Sequence, residues 1–173
     1  MKIIRIKNLT REKIENLTYS EDIRDRVEAA INATQEDILS HLANDRRAEV
    51  RVEVAGNSDT PQGVLYDLAI DKSYKVRASV ANNSNINESI MYRLSTAKEE
   101  FIRSNIAYKT SSPKVLEKLS NDEDPQVRVY VASNHNTPIK ILEKLSSDEF
   151  KSVRTTVASN PFFPEELRGK IEL

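Results

Sequence analysis

An aliphatic-Arg dipeptide recurs six times along the chain: Ile23-Arg24, Val50-Arg51, Val76-Arg77, Ile102-Arg103, Val127-Arg128 and Val153-Arg154. Guanidinium groups set 25 to 27 residues apart could hold a row of anions, or they could hold the protein together. Four of them have an aspartate six residues upstream: Asp45 before Arg51, Asp71 before Arg77, Asp122 before Arg128 and Asp148 before Arg154. A rigid fork of N–H donors matches a carboxylate bidentately, which accounts for the choice of Arg over Lys. A buried arginine ordinarily has such a fixed acid partner. These eight residues therefore read first as a structural ladder, and only second as a ligand groove.

The remaining chemistry is sparse. His41 and His135 are the only histidines, and neither has a second His or an acid at metal-ligand spacing, so no metal site is expected. The chain has no cysteine, which excludes a disulfide, a thiolate zinc site and a Cys-ligated iron–sulfur cluster. With glycine only at positions 56, 63 and 169 there is no phosphate-binding loop. No pair of carboxylates stands out from the charged helix faces. No catalytic residue and no cofactor are expected.

Two tyrosines are better placed. Tyr66 and Tyr92 each stand one residue past an apolar pair, Val64-Leu65 and Ile90-Met91, where other copies carry Ser40, Glu117 and Glu143. Tyrosine on a rigid helix is a favoured interface anchor.

The elements that position these residues follow from periodicity. Four residues after each aliphatic of the dipeptide comes another: Val27, Val54, Val80, Ile106, Val131 and Val157. A second apolar group begins at Ile38, Val64, Ile90, Val115 and Ile141, each 12 residues before the next dipeptide. Spacings of i, i+1 and i+4 mark one face of a helix, so each copy predicts two short helices. Thr60-Pro61, Ser112-Pro113, Thr137-Pro138 and Asp124-Pro125 predict an N-cap followed by proline at the first helical position. Thr34 with Asp37 resembles a capping box. Asn57, Asn83, Asn134 and Asn160 recur just past the first helix, where Asn can take a left-handed conformation. A helix pair this short cannot bury its stripe alone, and stacked copies build one core.

The expected domains are an N-terminal cap at 1–22 and a repeat region at 23–173, with copies at 23–49, 50–75, 76–101, 102–126, 127–152 and 153–173. Within the cap, residues 2–7 give a weak strand signal, and Arg11 to Thr18 predict a helix.

The run Val127-Arg128-x-x-Val131-Ala132-Ser133-Asn134, with Thr137-Pro138 and Ile141-Leu142-x-x-Leu145, resembles the variant leucine-rich repeat. That family is all-helical and related to HEAT-type repeats, in which a similar Asp–Arg spacing forms a hydrogen-bonded ladder between neighbours. The resemblance covers residues 23–173. It implies an all-α fold, a right-handed helical-repeat solenoid of about six short helix pairs. The founding type of the family adds a cysteine-ligated iron–sulfur domain, which a chain without cysteine does not carry over.

A repeat fold implies little about a partner. Basic and acidic residues number 26 and 27, so bulk charge argues for neither nucleic acid nor an anionic membrane. No apolar run approaches membrane-spanning length, and Met1 to Arg5 lack a signal-peptide core, so a cytoplasmic protein is expected. The leading expectation is a non-catalytic scaffold for protein–protein interaction, an adaptor or inhibitor. A nucleic-acid-binding HEAT-like protein is the alternative, and an enzyme of unknown type the third. Departures from the repeat rule gather between about residues 82 and 110: Ile86-Asn87 in place of Thr-Pro, Ala97 in place of the ladder Asp, and Tyr108-Lys109 in place of Ser-Asn. Rule-breaking tends to mark functional places. A partner-binding patch is therefore expected at Tyr66, Tyr92, Arg93, Arg103 and Tyr108.

Overall fold

A computed structural model describes residues 9–172. The strand signal at residues 2–7 lies outside them. All regular structure among the described residues is helical, in 13 helices. These are α1 (Arg11–Thr18), α2 (Ile23–Asn32), α3 (Glu36–Leu42), α4 (Ala48–Gly56), α5 (Gln62–Leu68), α6 (Tyr74–Asn82) and α7 (Glu88–Leu94). After them come α8 (Glu100–Lys109), α9 (Pro113–Leu119), α10 (Pro125–Ser133), α11 (Ile139–Leu145), α12 (Lys151–Ser159) and α13 (Glu165–Arg168). The chain divides into two compact units, Met1–Ile90 and Met91–Leu173.

In the first unit, α2, α4 and α6 lie side by side, α3 and α5 pack across the junctions between them, and α1 closes against α2 and α3. In the second, α8, α10 and α12 form the same layer, with α9 and α11 across the junctions. Helices of seven to ten residues are too short to be stable alone, so packing of one face sustains them. The buried stripe follows the sequence period. Val50, Val54, Leu65, Leu68, Val76 and Val80 fill the first unit's core, and Ile102, Ile106, Leu116, Val127, Val131, Leu142, Val153 and Val157 the second's. The alanines Ala55, Ala81, Ala107 and Ala132 of the first helices are buried as well.

Helix starts obey the expected chemistry in part. Ser112 Oγ accepts from the Val115 amide, and the Asp124 carboxylate from the Gln126 amide, each beside a proline at the first helical position. Thr60 and Thr137 do something else. Their hydroxyls donate 2.6 Å bonds back to the carbonyls of Val54 and Val131, satisfying the end of the preceding helix. The helices then begin one residue past the proline, at Gln62 and Ile139. No capping box forms at Thr34 and Asp37; α3 starts at Glu36 without a side-chain cap.

Candidate functional site

Arg26, Arg51, Arg103 and Arg128 are buried, and none of them takes a carboxylate six residues upstream. Arg51 donates through Nε and Nη2 to the Asp71 carboxylate at 2.7 and 2.8 Å, and through Nη1 to the backbone carbonyl of Asp45 at 2.8 Å. Arg128 repeats this with the Asp148 carboxylate at 2.6 and 3.0 Å and the Asp122 carbonyl at 2.7 Å. The aspartate six residues upstream, in the preceding copy, therefore supplies its carbonyl, while the carboxylate comes from the end of the arginine's own copy, 20 residues on. Each aspartate also accepts an amide two residues on, Arg47, Ser73, Asp124 and Phe150 in turn, and so fixes the turn into the next first helix. One residue thus holds a turn, its own repeat's Arg and its neighbour's.

The ladder gains one residue outside the aliphatic-Arg series, and one expected assignment changes. In the first copy the ladder residue is Arg26: its Nε reaches Asp45 at 2.6 Å and its Nη1 the carbonyls of Ser20 and Glu21. Arg24 points outward, 87% exposed, and pairs with Asp22 at the start of its own helix. Arg103 was expected to face a partner, because no acid stands six residues before it. It is only 7% exposed and holds the Asp122 carboxylate at 2.7 and 2.9 Å and the Ala97 carbonyl at 2.8 Å. A carbonyl is all that Arg103 takes from the upstream position, so alanine serves it there. Arg77 and Arg154 make the corresponding bonds to the carbonyls of Asp71 and Asp148.

The electrostatics follow. Burial opposes ionisation of Asp45, Asp71 and Asp148, but the guanidinium and amide hydrogen bonds outweigh it and hold all three below the usual carboxylate value. Hydrogen bonds to these acids raise Arg51 and Arg128 in turn, against the opposing effect of burial.

A second ladder runs parallel to the first. The asparagines past the first helices have φ between −65° and −74°, so no left-handed residue is present there. Their side chains are the reason for the residue. Asn134 Nδ2 donates to the carbonyls of Ala107 and Thr110 in the preceding repeat at 2.7 and 2.8 Å, and its Oδ1 accepts the Asn136 amide at 2.8 Å. Asn57, Asn83 and Asn160 do the same against Ala30, Ala55 and Ala132. Buried helix-end carbonyls that would otherwise lack donors are satisfied across the repeat junction.

With both ladders engaged internally, the chemistry left for a partner lies on the exposed faces. Within the second unit, Arg103 is taken up by the ladder, and Tyr92 and Tyr108 lie on different helices, α7 and α8. Tyr92, 38% exposed, lies on the second-helix side, bracketed by Lys114 at 4.7 Å and Lys118 at 5.5 Å from the ring centre. Arg93 follows it on α7. Tyr66 is on α5 in the other unit, partly exposed. Tyr108 is on α8, in the first-helix layer, and 69% exposed.

Around Tyr108 a groove forms between α8 and α10. Phe101 and Tyr108 are seven residues apart, two turns of helix, and so share a face. The Tyr108 ring meets Tyr130 of α10 edge to face, with centres 6.3 Å apart and planes at 80°. Glu100, Ser104, Asn105 and Gln126 complete the lining of about 440 Å³. Glu100 Oε1 accepts a 2.6 Å bond from Ser104 Oγ. Phe101 and Tyr130 were absent from the sequence-based site. The signal available was the spacing of Tyr108 and Tyr130 onto neighbouring first helices.

Among the described residues no cluster of three His, Cys, Asp or Glu could hold a metal ion, and no helix is long and apolar enough to cross a membrane. No protein-family model and no curated protein matches the sequence. A solved structure described as a leucine-rich repeat variant with a novel repetitive protein structural motif is similar, with a TM-score of 0.69 and 27% sequence identity. The likeness covers 86% of this chain but 60% of that one, so the chain spans less than two thirds of its neighbour's length.

Proposed function

Starting from a helical-repeat fold like that of the leucine-rich repeat variant, we propose that this chain is a non-catalytic scaffold that binds another protein, as an adaptor or inhibitor. The observation that carries the reading is the aromatic groove of Phe101, Tyr108 and Tyr130 on the first-helix layer of the second unit. Phe101 and Tyr108 are exposed there beside the half-buried Tyr130, and aromatic residues dominate interface energetics. The two ladders support it from below. They lock the first helices at a fixed spacing, so the groove is preorganised and loses little entropy on binding.

The test compares variants of the tagged full chain as baits. Tyr108→Ala with Tyr130→Ala should leave the helical content unchanged, since substitutions away from the core cost little, and should abolish capture of the partner that wild type retains from its source cells. Tyr66→Ala with Tyr92→Ala tests the second-helix tyrosines in parallel. Undiminished capture by both double variants would remove the scaffold reading.

A further inference from the structure

The lining of the α8–α10 groove carries a specific charge character. Its residues include one carboxylate, Glu100, and no cation. Aromatic rings present electron-rich faces, which attract ammonium and guanidinium groups. Glu100 is half-buried beside them, with one oxygen already oriented by Ser104 at 2.6 Å. A carboxylate can accept several further bonds, so the Ser104 contact positions it without consuming it. Gln126 adds an amide group of the kind that pairs with a peptide backbone, which offers both a donor and an acceptor at each residue.

The contrast with the neighbouring tyrosine sharpens the point. Tyr92 already has two lysines of its own chain over its ring, Lys114 and Lys118. Its cation-attracting face is filled from within. Tyr108 instead meets another ring, Tyr130, nearly at right angles, and is 69% exposed.

We infer that the groove between α8 and α10 recognises a partner segment through an arginine or lysine side chain, laid over Tyr108 and Tyr130 with its charged end at Glu100. This rests on the scaffold reading and specifies its partner: an extended protein segment with a basic residue at the centre of the contact. Phe101 packs the aliphatic stem of that side chain. Selectivity against an acidic segment comes from Glu100, which repels it, and against an apolar one from the carboxylate it would leave desolvated.

The experiment is selection of a random peptide display library on the immobilised full chain, with counter-selection on the Tyr108→Ala, Tyr130→Ala variant. Enriched peptides are then measured by fluorescence anisotropy. The expected peptides each carry Arg or Lys. Replacing that residue by citrulline, or Tyr108 by Ala, should weaken binding about tenfold. Glu100→Gln should weaken it about threefold, and Tyr130→Phe should bind as wild type does, because the ring is retained. Acidic or purely apolar peptides that depend on the groove would overturn the cationic specificity and leave the scaffold reading standing. If no peptide depends on the groove, both fall. Stronger groove-dependent binding of an oligouridine than of any peptide would overturn the proposal in favour of base stacking on the rings.

Discussion

Asp148→Ala should cost the chain about 3 kcal/mol. The figure follows from what the residue leaves behind. Arg128 and Asp148 are 9% and 8% exposed at the side chain, so their two bonds of 2.6 and 3.0 Å are made largely out of water. Removing one member of such a pair strands a buried charge, at about 3–5 kcal/mol. Two features place the loss at the low end. Arg128 keeps the Asp122 carbonyl at 2.7 Å, and the exposed Glu149 carboxylate is already 3.7 Å away. In a chain of this size each kcal/mol shifts the melting point by about 2–4 °C, so the midpoint should fall by about 6–12 °C. The assay is thermal and urea denaturation followed by helical circular dichroism. Asp148→Asn keeps an acceptor for the Phe150 amide but gives up the charge, and should lose about 2 kcal/mol. The decisive comparison is Arg128→Met with Asp148→Leu. It also loses the Phe150 contact but leaves no stranded guanidinium, so it should recover most of the loss. Because the pair is buried, 0.5 M salt should change these differences little. An Asp148→Ala loss under about 0.5 kcal/mol, or a double apolar variant no more stable than Asp148→Ala, would refute the reasoning.

Asn134→Ala should destabilise by about 2–4 kcal/mol in urea, because the buried carbonyls of Ala107 and Thr110 lose their donor; Asn134→Asp should be worse, since it faces those carbonyls with a charge. The folded-state pKa values of Asp45, Asp71 and Asp148 are lowered, so their stabilisation is complete above the ordinary value of 3.8 and lost as pH falls through the lower folded values. Melting points measured from pH 7 down to 2 should drop in that acid window, and less steeply in Asp148→Ala. Burial raises the pKa of Glu53, the opposite sign, so its charged form costs stability at neutral pH. Glu53→Gln should raise the melting point at pH 7, and the gain should vanish below the ordinary Glu value of 4.5.

Helix pairs and their buried stripe were legible in the sequence because an i, i+4 spacing is a property of one helix, and the residues that make it lie side by side in the chain. The ladder was half legible. The six-residue Asp-to-Arg spacing is real, but it serves a carbonyl; which carboxylate an arginine takes depends on how a first helix packs against the turn that leads into the next one. The signal sits at 19 or 20 residues: Arg26 to Asp45, Arg51 to Asp71, Arg103 to Asp122 and Arg128 to Asp148. Read at that distance, Arg26 displaces Arg24, and Arg103 needs no upstream acid. The asparagines illustrate the same limit. Their recurrence was visible, but a backbone explanation was nearer to hand than a side chain reaching a repeat some 24 to 28 residues away. The groove is not legible in the repeat pattern because Phe101, Tyr108 and Tyr130 fall in three successive copies and share no repeat position. Tyr66 and Tyr92 do share one, which makes them the visible tyrosines of the repeat.

The claim that this chain binds a protein through its first-helix layer is tested most directly by site-specific photo-crosslinking in the source cell. A benzophenone amino acid at position 108 places the reactive ring over the groove, and one at position 74, on the first-helix layer of the other unit, serves as the control. The account predicts a discrete protein adduct from position 108 that Tyr130→Ala diminishes, and none of that size from position 74. Equal adducts from both positions, or none from position 108, would contradict it.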